Sequence, residues 1–194
     1  MNYLNILLYL EVKLLIQNTF EGLWMNLGVD HFMKMTPENY QPGIGLRPGG
    51  ERPGLEPIIM QVYKAMYESI AAHSRQGINV VVDVEHHDSY SAPRRILLTC
   101  ARILRKYPVV FVGVHCPIGE IMKRRKDTWG TGYAKNGAIP ESVKRWQHYV
   151  HILGIYDLEV VTSIMSSDEC AHLIHQKLRD LPSQTAFQLI RDME

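Results

Sequence analysis

The chain has 194 residues, of which 46% are hydrophobic and 21% charged, and its formal net charge is +1. This composition is typical of one folded globular domain with a sizeable core, and it excludes a disordered chain, a collagen-like repeat and a disulfide scaffold. A net charge so close to zero provides no global field for nucleic acid or an anionic membrane, so we expect neither as a partner.

The amino-terminal segment is apolar. Leucines at positions 4, 7, 8, 10, 14 and 15 follow a helical period. They predict a helix over about residues 4–20, with a strand over residues 4–10 as the alternative. Because Glu11 and Lys13 interrupt the segment well before the roughly 20 apolar residues that a membrane span needs, we expect no transmembrane helix. A signal peptide is not expected either, since a basic start and a small-residue cleavage site are missing.

Beyond this segment, predicted strands and helices alternate. Apolar runs predict strands within 23–28, 78–84, 107–116 and 156–163, and helical spacing predicts helices over 55–76, 93–106, 117–127, 140–151 and 168–178. Ser166 and Glu169 form a predicted capping box for the last of these helices. Such alternation predicts an α/β fold in which a parallel sheet is covered by helices on both faces.

Three carboxylates follow two of the predicted strands. Asp30 comes after the first apolar run, and Asp83 and Glu85 come at the end of the β-branched run "INVVVDVEHHD". Ligands of parallel sheets bind at the carboxyl ends of the strands, so these acids are predicted to lie at a binding edge. Each acid could instead cap a helix or close a turn, and the sequence alone leaves that alternative open.

Two groups of cations are candidates for binding an anion. One is the run from Lys123 to Lys126, which includes Arg124 and Arg125 and could equally be a solvated helix face. The other consists of Arg47 and Arg52 in the segment 36–57, which contains five of the ten prolines and is predicted to be a long irregular loop. Loops of that length usually bind ligands or cover sites, so both arginines are candidate substrate contacts. Alternatively, they pair with Glu51 and Glu56 at the surface.

The remaining polar clusters predict no metal centre. His86 and His87 are adjacent and have no second ligand group at metal spacing, so they are interpreted as hydrogen-bonding loop residues. The three cysteines, Cys100, Cys116 and Cys170, are odd in number and lie in apolar surroundings. This pattern favours reduced thiols in a cytoplasmic protein.

The motifs "LGVDHF", "VVVDVEHHD", "FVGVHCP" with a following "RR", and "YDLEVVTS" occur in this order along the chain. In that order they resemble chloramphenicol phosphotransferases and their relatives, a family of small P-loop kinases. The likeness runs from about residue 16 to about residue 181. It implies one P-loop-kinase-like domain over 1–181, with an atypical segment 1–13 and a carboxyl-terminal tail 182–194.

The resemblance also implies a chemistry and a set of roles. The implied fold has a five-stranded parallel sheet, and the implied reaction moves a phosphoryl group from ATP, with Mg²⁺, to a hydroxyl of a small molecule. Asp30 matches the acid that acts as general base on that hydroxyl. Arg125 and Arg124 match the lid cations, which with Lys123 would contact the phosphates of ATP. Asp83 matches an acid near Mg²⁺ or the substrate. Glu85, Arg47 and Arg52 are candidate substrate contacts by their positions in the sequence and not by the resemblance.

One part of the family pattern is missing. A P-loop has the sequence G-x-x-x-x-G-K-[ST], and by alignment its last three residues would fall near Leu8, Tyr9 and Leu10, none of which can bind phosphate. Two explanations are open. The chain could be a degenerate relative that binds a small ligand or a partner without catalysis. Alternatively, residues 1 to about 13 replace the true first strand and loop, which is the favoured explanation because the downstream motifs are intact. The oligomeric state is not predicted.

Overall fold

The computed structural model describes residues 5–7, 10–41, 52–130, 134 and 137–193. The strands are β1 (Asn5–Leu7), β2 (Trp24–Gly28), β3 (Asn79–Asp83), β4 (Val109–His115) and β5 (Leu158–Val161). The helices are α1 (Leu10–Thr19), α2 (Val29–Met35), α3 (Glu56–Arg75), α4 (Ile96–Ile103), α5 (Ile118–Trp129), α6 (Glu141–Tyr149), α7 (Ser167–Arg179) and α8 (Ala186–Arg191). Among these helices, none combines the length and the apolar character needed to cross a bilayer.

The five strands form one parallel sheet in the order β2-β3-β1-β4-β5. This arrangement confirms the predicted α/β class and the five-stranded parallel sheet. Its carboxyl edge contains the ends of β2 and β3, where Gly28 lies opposite Asp83.

The prediction of a continuous helix over residues 4–20 is wrong at its start. Residues 5–7 form the central strand, paired with Val80–Val82 on one side and with Val109–Phe111 on the other. Backbone hydrogen bonds to two neighbours outweigh the helical spacing of the leucines, since a local period is only a weak preference. The strand alternative holds for these three residues, and helix α1 begins at Leu10.

Alternate residues of the central strands pack on opposite faces of the sheet. Val80 and Val82 lie in a cluster with α3, α4 and α8, whereas Val81 lies in a second cluster with α1 and α7. Cys100 is buried in the first cluster and Cys170 in the second. The β-branched runs are thus buried on both faces, as a doubly covered parallel sheet requires.

Helix α8 belongs to this core, although the sequence sets residues 182–194 apart as a tail. Phe187 and Ile190 are buried against the first cluster. The carboxylate of Asp157 accepts hydrogen bonds from the backbone N–H groups of Phe111 and Ala186, both at 2.8 Å. It therefore links the start of α8 to strand β4. The capping box predicted at Ser166 is confirmed at the start of α7.

Candidate functional site

The three predicted carboxylates all lie at or just after the carboxyl ends of β2 and β3. Asp83 ends β3, and Glu85 follows two residues later with its side chain exposed. Asp30 is the second residue of α2, directly after β2, and its side chain is also exposed. Because β2 and β3 are adjacent, their ends bring Asp30 and Asp83 to the same part of this edge.

A cavity of about 350 Å³ opens beside these carboxylates, between α2, α3, the loop after β3, and α6. Apolar and aromatic side chains form most of its wall, among them Val29, Phe32, Tyr63, Tyr90, Trp146 and Tyr149. Glu85 is part of the wall. Asp30 is not, although its neighbours Val29 and Phe32 are. A concave, mostly apolar site with a few polar groups is the usual form of a small-molecule pocket.

Hydrogen bonds fix the inner wall of the cavity. The hydroxyl of Tyr63 donates to the backbone carbonyl of Glu85 at 3.0 Å, and burial raises the pKa of Tyr63 well above its ordinary value. Behind it, the hydroxyl of Tyr67 lies 2.7 Å from Nε2 of the buried His86. Burial lowers the pKa of His86 to about 3, so this imidazole is neutral under ordinary conditions. Helix α3 and the loop after β3 are therefore joined by hydrogen bonds between uncharged groups.

Glu56 holds the next part of this loop. Its carboxylate accepts hydrogen bonds from the backbone N–H of Ser91 at 3.1 Å and from the Ser91 hydroxyl, and it forms an ion pair with Arg94 at 3.2 Å. The hydrogen bond from the Ser91 side chain is the main cause that lowers the pKa of Glu56. Glu56 lines the cavity, and its carboxylate is already engaged in holding the wall.

A cluster of aromatic rings forms the side of the cavity next to α6. The ring of His87 lies 4.3 Å from the ring of Tyr90 and 4.4 Å from that of Trp146. The backbone N–H of Ser89 donates to Nδ1 of His87 at 3.0 Å, which places the proton of the neutral imidazole on Nε2. Burial lowers the pKa of His87, which favours this neutral form. Both adjacent histidines thus act within the loop, in line with the interpretation from the sequence.

The predicted lid cations lie on α5 and do not line the cavity. Arg124 donates to the backbone carbonyl of Thr162 at 2.7 Å and to its hydroxyl at 3.2 Å, so it ties α5 to the segment after β5. Lys123 is exposed and lies 3.6 Å from Glu120 on the same helix. Arg125 is half-buried, and burial lowers its pKa. The roles of these three side chains toward phosphate stay predictions.

The two predicted loop arginines have different outcomes. Arg47 lies outside the described residues. Arg52 lines the cavity, and its guanidinium donates to the backbone carbonyls of Glu38 at 2.8 Å and Gln41 at 3.4 Å. It therefore holds the turn after α2 against the start of α3, and any substrate contact would come in addition to these bonds.

Asp83 does not fit the role of a magnesium ligand in this structure. Its Oδ1 lies 2.5 Å from Nζ of Lys13, whose side chain is only 1% exposed. Mg²⁺ needs a carboxylate that is open to the metal and its waters. Here an ammonium group from the same chain already pairs with Oδ1 of that carboxylate and balances its charge.

Sequence reasoning missed several residues of this site. Lys13 lies three positions before the buried Ile16, on the apolar face of α1. A charged residue on an apolar helix face indicates a buried partner, and this was the signal that the sequence contained. Arg145 and Trp146 line the cavity from α6. No local pattern marks them, because a cavity wall is defined only when separate helices pack together.

Comparisons with known proteins agree with this fold. The family model described as chloramphenicol phosphotransferase-like protein matches residues 11–179. An unliganded sugar kinase from Janibacter sp. HTCC2649 superposes with a TM-score of 0.58 at 13% identity, over 94% of this chain and 98% of that one. The tunicamycin resistance protein of Deinococcus radiodurans gives a TM-score of 0.53 at 10% identity, over 91% and 94% of the two chains.

No curated protein matches the chain. At these identities the two structural neighbours show the fold alone, which is that of P-loop kinase-like proteins. The family model covers most of the chain and includes all four quoted motifs. The chain therefore belongs to the chloramphenicol phosphotransferase-like family.

Proposed function

We propose that the protein is an ATP-dependent phosphotransferase that phosphorylates a hydroxyl group of a small, largely apolar molecule. The observation that supports this function best is the cavity beside Asp30, with Glu85 in its wall and aromatic rings around it. Its size suits a small molecule, and its position at the carboxyl edge is the usual ligand position in parallel sheets.

Asp30 is the proposed general base. The hydroxyl oxygen of the acceptor attacks the γ-phosphorus of ATP, its proton passes to the Asp30 carboxylate, and the bond to the β-γ bridging oxygen breaks to release ADP. Asp30 must stand within hydrogen-bond reach of the acceptor, and its place on the first turn of α2, between wall residues Val29 and Phe32, supports this role. Glu85 orients the acceptor from the carboxyl end of the neighbouring strand β3.

Cations on α5 are proposed to meet the donor. Phosphoryl transfer requires positive charge around the phosphates more than covalent chemistry by the protein. Arg125 and Lys123 lie on the helix that follows β4, and Arg124 keeps this helix attached to the segment after β5. The apolar wall limits the access of water, so that transfer to the acceptor competes well with hydrolysis of ATP.

A transfer assay with radiolabelled ATP and a panel of hydroxylated aromatic and aliphatic compounds tests this function. We expect transfer with the wild type, loss of about 10²–10⁴-fold with Asp30→Asn, and a smaller loss with Glu85→Gln. Asp180→Asn is the matched control, since this exposed acid lies at the carboxyl end of α7. Transfer that survives Asp30→Asn but not Glu85→Gln would move the base to Glu85, and transfer unaffected by both would refute the site.

A second candidate function is a non-catalytic module that binds a small ligand. The specific observation in its favour is the Lys13–Asp83 ion pair, together with Leu8, Tyr9 and Leu10 where a P-loop would end. This candidate predicts that Mg-ATP binds no tighter than millimolar, which corresponds to about 4 kcal/mol. Micromolar binding of Mg-ATP in a calorimetric titration would eliminate it.

A further inference from the structure

Lys13 is a buried cation with one acceptor. Its side chain is 1% exposed in the middle of α1, and among the described residues its ammonium group donates only to Asp83 Oδ1, at 2.5 Å. An ammonium group removed from water is stable only when it is paired. The pair therefore links α1 to the end of β3, 70 positions further along the chain.

The backbone of β2 is shaped to admit the carboxylate of this pair. A Cβ atom on Gly28 would lie 1.7 Å from Asp83 Oδ1 and 2.8 Å from its Cγ. The backbone of Gly28 is extended, with φ at 167°, so its conformation does not require glycine. The absence of a side chain at this position is instead what leaves room for Asp83 to turn toward Lys13.

We propose that the ammonium group of Lys13 takes the place of a divalent cation at Asp83. The carboxyl end of β3 then has its countercharge within the chain and recruits no metal through this residue. A metal at the other oxygen, Oδ2, would share a carboxylate whose charge Lys13 already balances. A metal that displaced Lys13 from Oδ1 would leave the lysine's charge buried and unpaired. That cost opposes metal binding at this carboxylate, whichever nucleotide or acceptor the protein binds.

This property goes beyond the proposed function and places a condition on it. A divalent cation that accompanied a phosphoryl donor would have to be held by the donor's own phosphates or by the exposed carboxylates Asp30 and Glu85. Metal binding and phosphoryl transfer are measured separately, so a protein that fails to turn over ATP still tests the role of Lys13.

Manganese alone is the probe, titrated into the 194-residue chain without nucleotide and followed by electron paramagnetic resonance of the free ion. Four proteins are compared: the wild type, Lys13→Met, the neutral pair Lys13→Met/Asp83→Asn, and Lys106→Met as a control for loss of an exposed lysine. We expect Lys13→Met to bind Mn²⁺ about tenfold more tightly than the wild type, which is 1.4 kcal/mol. The gain should disappear in the neutral pair and be absent in Lys106→Met.

The neutral pair keeps the inference testable if Lys13→Met does not fold, because it removes both charges together and leaves no buried ion. In that case we expect the wild type and the neutral pair to bind Mn²⁺ equally, since neither has an open carboxylate at position 83. Wild-type binding clearly tighter than that of the neutral pair would overturn the inference. A folded Lys13→Met protein without any gain would overturn it as well.

Discussion

Replacing Gly28 by alanine tests the geometry at the end of β2. In an ordinary strand this change stabilises the fold by roughly 0.5–1 kcal/mol, because glycine loses more backbone entropy on folding. Here the new methyl group would lie 1.7 Å from Asp83 Oδ1, so the carboxylate must move away. Its movement breaks the ion pair with Lys13 and leaves a buried ammonium group.

The magnitude follows from the two opposing effects. Breaking a fully buried ion pair costs about 3–5 kcal/mol, and the figure here is lower because solvent reaches Asp83. Its side chain is 28% exposed, so the lysine can recover part of its interaction through water. After the gain from replacing glycine, we expect a net loss of about 2 kcal/mol in the free energy of unfolding. The sign of the change is thus opposite to that of an ordinary strand position.

Urea denaturation followed by circular dichroism measures this change as a shift of the midpoint at constant slope. Gly119→Ala is the matched control, because a Cβ at this position of α5 meets nothing within 4 Å. It should leave stability unchanged or raise it by up to about 1 kcal/mol. In a Lys13→Met/Asp83→Ala background, Gly28→Ala should cost nothing further. A Gly28→Ala protein as stable as the wild type would refute the close approach of Asp83.

Two more predictions use the same unfolding measurement. Phe187→Ala should lower the free energy of unfolding by about 3–5 kcal/mol, because this residue of α8 is 3% exposed in the core. The control Leu189→Ala, at a residue that is 44% exposed, should change the free energy of unfolding by less than about 0.5 kcal/mol. Equal effects of the two substitutions would contradict the packing of α8. His86 has a folded pKa of about 3 because burial disfavours its charge, whereas its unfolded pKa is near 6.5. The stability that its neutral form contributes is present above pH 6.5 and falls as the pH drops toward 3, by up to about 1.4 kcal/mol per pH unit. His86→Gln should make the pH profile less steep, with the exposed His148→Gln as control, and an unchanged profile would show that His86 can be protonated in the folded state.

Asp30 and the cations of α5 differ in their positions relative to the cavity. Asp30 is exposed beside the wall, and the cations belong to a helix on the other side of the central strand β1. Among the described residues, Arg52 and Arg145 are the cations that line the cavity itself. The positions of Asp30 and Glu85 alone do not distinguish their functions. The effects of Asp30→Asn and Glu85→Gln on phosphoryl transfer do.

The sequence by itself determined the class of fold. Runs such as "NVVVD" and "VVFVGVH" are β-branched and continuous, so they predict strands buried on both faces, and the structure has them as β3 and β4. The capping-box spacing of Ser166 and Glu169, three positions apart, likewise predicted the start of α7. These features depend on neighbours in the chain, and a single sequence contains that information.

Tertiary structure decided the central strand and the site. Residues 5–7 form a strand because β3 and β4 offer hydrogen bonds on both sides, which no period along the chain can indicate. The cavity wall combines α2, α3 and α6 with the loop after β3, and the partner of Lys13 lies 70 positions away. Long-range contacts of this kind depend on how the elements pack. The sequence therefore predicted the edge at which the cavity opens, and Glu85 and Arg52 of its wall, but not the other residues that shape it.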